Sequence, residues 1–410
     1  MKRLGLAAML AVLLALCLLT AAGPAPAGAA PSKAWTIMVF LNGDNNLDFE
    51  GWWTLDLLSQ GLQKPSDVNV VALYDHYGPG GAEKYLVTAD GYTKIGDVAE
   101  PDMGSGATVA SFLIWAMKAY PADKYILDLW DHGGGWMYYS RDSTSGTRMY
   151  IADLAAGMAT AERAVGDKVD MTLFEACTMA QVEIAYQLRG VTDVELGTEV
   201  TMDAEGPPWH WTVATMEADP GIAPVALGRV IADQYVKYYS TGKKDGGNGN
   251  GDVIGTFSST DESTQVALAQ AVDQLALALI PKMSLYKSQL GSAAAYAKNQ
   301  CFESIMGLFW FSDAWALCDQ LQKSIDDPLI DYWAGEVKAR IETGTYCAAS
   351  HQQDTRSYGL TLAFPPSAPH YYDNYYHRIY DDIGLFFPQD THWDEMLKAY
   401  YAVSSGKHKG

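Results

Sequence analysis

The chain has 410 residues, 28 Lys and Arg against 49 Asp and Glu, and a formal charge of −21. So acidic a surface argues against nucleic acid and anionic membranes as partners, and is compatible with a basic peptide or divalent cations. The length exceeds the roughly 100–200 residues of a common domain and predicts one large α/β domain with an appended part.

At the N-terminus, Lys2 and Arg3 precede an apolar run over 4–19 and a small-residue stretch, AAGPAPAGAAP. A basic start, an apolar centre and an Ala-rich exit predict a signal peptide over 1–30. The apolar run falls short of the roughly 20 residues that span a bilayer. Leu16, before Cys17, is too large for a lipobox. No later segment is expected to span a membrane, so the mature protein is expected to be secreted or periplasmic, without Lys2 and Arg3. Of the five cysteines, Cys177, Cys301, Cys318 and Cys347 remain after the leader. That is too few for a scaffold built on disulfides, although one bridge among the last three is allowed.

Four apolar runs read as buried strands: AWTIMVFLNG (34–43), VNVVALYDH (68–76), KYILDLWDH (124–132) and VDMTLFEAC (169–177). Helical patterns cover 47–62, 107–120, 152–165 and 179–188. Strands alternating with helices predict a mainly parallel sheet flanked by helices. The Gly- and Asn-rich stretch 243–252 marks the end of a catalytic domain over 31–242. A mostly helical portion over 253–410 follows, with a strand at 253–261, helices at 264–279 and within 300–343, a late strand at 358–365 and a helix at 393–401.

Ligands of open α/β sheets bind where the carboxyl ends of the strands meet. The third run ends in Asp131-His132-Gly133 and the fourth in Glu175-Ala176-Cys177, 45 residues apart. If the two strands are neighbours, His132 and Cys177 emerge side by side. A thiol needs a base to become a nucleophile, and His132 can serve; a helix starting just after Cys177 would favour the anion. Glycine at 133 keeps the backbone open, so that its amide and that of Cys177 can cradle an oxyanion.

These residues resemble the clostripain family of caspase-like cysteine peptidases. The likeness rests on NGDNNLD (42–48), DHGGGW (131–136), Glu-Ala-Cys-Thr-Met (175–179), GTEVTMDAEGPPWHW (197–211) and YGLTLAFP (358–365). It implies a caspase-like fold, a His132–Cys177 dyad, a protein or peptide substrate and cleavage after basic P1 residues. The family's acid two residues before the nucleophile is usually Asp; here it is Glu175. Glu199, Asp203 and Glu205 are further candidates for the P1 pocket. Family members also cut themselves between His and Cys, for which Arg141 and Arg148 are candidates.

Some members depend on calcium. Asp44, Asn45, Asn46 and Asp48, or Asp245, Asn248, Asn250 and Asp252, offer oxygen ligands, but neither run has EF-hand spacing and both read better as turns. No zinc motif is evident in the spacing of His351, His370, His377 and His392. The aromatic runs, including Trp209 and Trp211, are assigned to domain seams. The alternative to an enzyme is an inactive caspase-like binding protein exported to the cell envelope. A serine hydrolase finds no support, because Ser140, Ser143 and Ser145 lie in no G-x-S-x-G elbow.

Overall fold

Apolar residues occupy both faces of the first strand, and this sets the architecture. In a computed structural model, which describes residues 32–241, 256–298, 311–349, 357–365, 367, 380 and 383–403, that strand is β1 (Lys33–Asn42). Met38 and Phe40 enter one core, whereas Ile37, Val39 and Leu41 enter a second. A strand buried on both sides belongs in the middle of a sheet covered by helices.

The chain continues through β2 (Val68–Asp75), β3 (Ala82–Thr88), β4 (Gly91–Val98) and β5 (Ala122–Trp130). A hairpin of β6 (Tyr139–Asp142) and β7 (Thr147–Met149) precedes β8 (Met171–Glu175) and β9 (Val194–Gly197). Later come β10 (Thr256–Asp261), β11 (Phe311–Asp313), β12 (Thr345–Ala349) and β13 (Thr361–Ala363). Nine strands form one sheet in the order β12-β10-β9-β8-β5-β1-β2-β3-β4. Its centre, β9-β8-β5-β1-β2, is parallel, and its edges β3-β4 and β10-β12 are antiparallel.

The expected parallel sheet is thus present, with both ends extended. The β3–β4 hairpin was not anticipated, although Asp90-Gly91 between alternating apolar residues is a hairpin signal; Gly91 has φ +115°. The expected strand at 253–261 and the unanticipated β12 join the main sheet. The late strand at 358–365 does not; its ordered part, β13, pairs with β11. From Lys33 onward the described residues form one unit. The expected signal peptide over 1–30, the stretch 243–252 and Cys301 lie outside the described residues. Cys177, Cys318 and Cys347 are free thiols.

The helices Gly51–Gly61, Trp209–Ala218 and Pro224–Ser240 cover one face, through Leu55, Leu58, Val213, Ile231 and Tyr235. Gly106–Ala119, Ile151–Val165, Val182–Leu188 and the C-terminal helices cover the other. The stretch Glu262–Ala297 corrects one expectation, since it is long and apolar enough by composition to cross a membrane. It breaks at Ile280–Lys282, and Leu268, Val272, Leu275 and Leu279 are packed in the core.

On that second face, Gly106 and Gly157 let two helices touch through their backbones. An added Cβ on Gly157 would overlap the carbonyl of Gly106. Gly157→Ala is therefore expected to destabilise the protein by about 1–3 kcal/mol, read as a lower thermal midpoint.

Candidate active site

Register decides what meets at the sheet edge. Strands β5 and β8 are adjacent and parallel, and Trp130 is the partner of Glu175. Two residues beyond each lie His132 and Cys177, at equal rank. Both are half-buried and line one cavity of about 170 Å³, with Leu47, Glu175, Met202 and Asp203.

A buried carboxylate fixes the His132 side. Asp131 accepts from the Nδ2 atoms of Asn42 and Asn45, both at 2.8 Å, and from the amides of Arg141 (2.7 Å) and His132. The end of β1, the end of β5 and the start of the hairpin are thereby tied together. Burial raises Asp131 to about 7 against these donors. On the His132 ring, Nε2 lies 2.9 Å from Oδ1 of Asn46. A carbonyl oxygen only accepts, so Nε2 carries the proton and Nδ1 keeps its lone pair. Burial, followed by repulsion from Arg141, lowers the pKa of His132 and keeps it neutral near pH 7.

The chain turns sharply after Cys177. Thr178 adopts φ +61°, rare for a β-branched residue, while its amide donates to Val200 O and its hydroxyl to Cys177 O. The thiol is not at a helix start, as the sequence predicts, because the next helix begins only at Val182. Burial raises the Cys177 pKa, opposed by the Met202 amide at 3.4 Å from Sγ. Among the described residues, the amides of Gly133 and Cys177 make no hydrogen bond. A Cβ on Gly133 would overlap the carbonyl oxygen of Cys177, so glycine is required there.

Glu175 forms part of the cavity wall. Its Oε2 accepts from Thr54 Oγ1 at 3.0 Å and its Oε1 from the Trp209 indole. Trp209 thus belongs to the site rather than to a domain seam. Asp128, fully buried on β5, is raised well above the usual range by burial and by repulsion from Glu175; burial raises Glu175 to about 7.

Asp203 also lines the cavity, but Glu199 and Glu205 do not. Glu199 accepts from the Gly359 amide, and Glu205 from the Tyr238 hydroxyl at 2.7 Å. Arg141 and Arg148 face each other across the β6–β7 hairpin. Arg141 is exposed, while Arg148 packs over the Tyr138 ring at 4.7 Å and lines a separate groove of about 1080 Å³.

The 44–48 run is not a joint ligand set. Asn45 and Asn46 serve Asp131 and His132, and Asp48 accepts from or pairs with His76 at 2.9 Å. The run at 245–252 and His351, His370 and His377 lie outside the described residues; His392 contacts Asp273 at 2.7 Å.

A parallel α/β sheet with cysteine and histidine at adjacent strand ends defines the caspase-like class of fold. The clostripain-family sequence model (peptidase C11) matches residues 39–400, and the chain belongs to that family. Clostripain of Hathewaya histolytica is 24% identical over 187 residues, 38% of this chain and 36% of that protein. The match therefore spans about a third of that relative's length. A secreted C11 cysteine protease of Bacteroides thetaiotaomicron, solved with an irreversible peptide inhibitor, has a TM-score of 0.63 at 20% identity, covering 88% of this chain and 99% of that one. An inactive zymogen C11 protease of Parabacteroides distasonis gives 0.64 at 19%, covering 90% and 99%. These homologues support a cysteine-type peptidase.

Asn46 is the site residue whose role the sequence did not disclose. Asn46→Ala is expected to lower kcat by about 10- to 100-fold with little change in thermal stability. Asn46→Asp should instead raise the imidazole pKa, moving the acid limb of kcat/KM to higher pH.

Proposed function

We propose that this protein is a secreted cysteine endopeptidase cleaving after Arg or Lys. The observation that carries the reading is the equal rank of His132 and Cys177, beyond the Trp130–Glu175 pair, on one cavity with two free amides.

His132 Nδ1 takes the thiol proton as Cys177 Sγ attacks the scissile carbonyl. The amides of Gly133 and Cys177 hold the oxyanion. The C–N bond then breaks as His132 returns the proton to the leaving amine, and water hydrolyses the thioester with His132 again as base. Glu175, with Asp203 nearby, receives the basic P1 side chain. The chain is made as a zymogen that matures by self-cleavage after Arg141 or Arg148, which face each other across the β6–β7 hairpin. Export rests on the signal-like N-terminus and on the secreted relative.

The purified protein is expected to cleave Arg- and Lys-based fluorogenic peptides, whereas Cys177→Ala is silent. No thiol-dependent cleavage of either peptide, before or after limited proteolysis of the hairpin, would sink the reading and favour the inactive binding protein.

Glu175 binds a cation only when ionised, so KM for basic peptides should rise as pH falls through about 7. Glu175→Gln should abolish that dependence and lower kcat/KM by about 30-fold or more. Intact-mass analysis is expected to find two chains divided at Arg141 or Arg148, and one chain in Cys177→Ala.

A further inference from the structure

Behind the cavity wall lies a carboxyl group that the cleavage chemistry leaves unused. Asp128 sits on β5 with 0% exposure, two residues before Trp130. In the β5–β8 register it is opposite Leu173, so Glu175 is its diagonal neighbour on the same face of the sheet. Diagonal neighbours are within reach of long side chains. Neither Asp128 oxygen receives an N–H or O–H donor among the described residues, and both are closed to solvent. The polar group that approaches them is the Glu175 carboxylate.

Two carboxyl groups can share a hydrogen bond only if one of them holds a proton. The surroundings decide which. Glu175 already accepts from Thr54 Oγ1 at 3.0 Å and from the Trp209 indole, and donors of that kind favour an anion. Asp128 has none, so burial leaves it the weaker acid of the two. A count of lone pairs agrees. Each Glu175 oxygen has two acceptor positions. Thr54 and Trp209 take one on each oxygen, Asp128 takes a third, and the fourth is left for the cavity that Glu175 lines.

We propose that Asp128 is a positioning residue for P1 selectivity: it keeps its proton and donates it to Glu175, which holds that carboxylate ionised for the incoming basic side chain. This rests on the reading of Glu175 as the acceptor of that side chain. Among the bonds that oppose the effect of burial on Glu175, the one from Asp128 is the largest, ahead of those from Trp209 and Thr54. Without it the Glu175 pKa, raised to about 7 even in its presence, would climb further, and the wall would be neutral at pH 7.

The titrating groups that face the pair offer no replacement. Asp131, His132, Cys177 and Asp203 surround the cavity, Tyr139 stands on the hairpin, and Tyr235 and Tyr239 on the Pro224–Ser240 helix. None of these is Lys or Arg, so no fixed cation takes over from the Asp128 proton.

The test compares the full chain with Asp128→Asn, whose side-chain amide can donate the same bond, and with Asp128→Val, which donates none. The substrates are fluorogenic peptides carrying Arg or its neutral isostere citrulline at P1. In Asp128→Val the pH at which KM for the Arg peptide rises should move up by about one unit or more, with kcat nearly unchanged. The Arg-over-citrulline ratio of kcat/KM at pH 7 should fall by about tenfold. Asp128→Asn should keep the original profile. If Asp128→Val does not fold, Asp128→Ala carries the same expectation. The assignment is overturned by an unmoved profile in the folded Asp128→Val variant, by an equal shift in Asp128→Asn, or by a loss of kcat in place of the KM shift. An unsubstituted chain without preference for Arg over citrulline overturns the P1 reading itself, whereas that preference with an unmoved Asp128→Val profile overturns the role of Asp128 alone.

Discussion

The parallel pairing of β5 with β8 is the constraint on which the site depends. Side chains alternate along a strand, so a slip of one residue would send every β8 side chain to the opposite face of the sheet. The observed register matches Trp130 with Glu175 and Leu129 with Phe174, placing Phe174 in one core and Leu173 in the other. Both cores must be filled at once, which leaves no freedom to shift. Packing energy spread over the sheet is thereby converted into the position of two side chains, His132 and Cys177, that lie beyond the strands.

Around this edge the protein uses buried carboxylates as ties. Asp131 gathers donors from β1, β5 and the hairpin, and Glu183 accepts from the Ala363 amide at 2.9 Å and the Tyr380 hydroxyl at 3.2 Å, fastening the late strand. Burial raises both to about 7. Their pKa values in the folded chain exceed those of the unfolded chain, so the folded chain binds more protons. Their contribution is complete below the unfolded carboxylate range and declines as pH rises through about 7. The same donors that oppose this decline also specify where each loop ends.

Much of the fold was legible because its signals are local. The runs now seen as β1, β2, β5 and β8 are continuous and apolar, and their polar exits led to Asp131, His132 and Cys177. The shorter elements carry weaker signals: β9 has four residues, and β12 follows the Pro328–Gly344 helix directly. Asn46 was opaque for a different reason. Asn46 reads as one more polar residue in a turn. Its significance depends on a partner from a distant segment, since His132 is 86 residues further along the chain. Glu199 and Glu205 show the converse, since a shared loop with Asp203 made them look equivalent while their partners draw them elsewhere.

Glu175 shows how position on the strand sets chemistry. As the last residue of β8 it shares the face of Leu173, where the Gly51–Gly61 and Trp209–Ala218 helices supply Thr54 and Trp209 as donors. Gly206 packs so close that a Cβ there would strike Oε2. The carboxylate is therefore held by Thr54, Trp209 and a hydrogen bond with Asp128, whose raised pKa keeps it protonated, and no built-in cation lies beside it among the described residues. An anion held this way in a buried wall is incompletely satisfied. The basic P1 side chain proposed above would supply the counter-charge that this wall lacks.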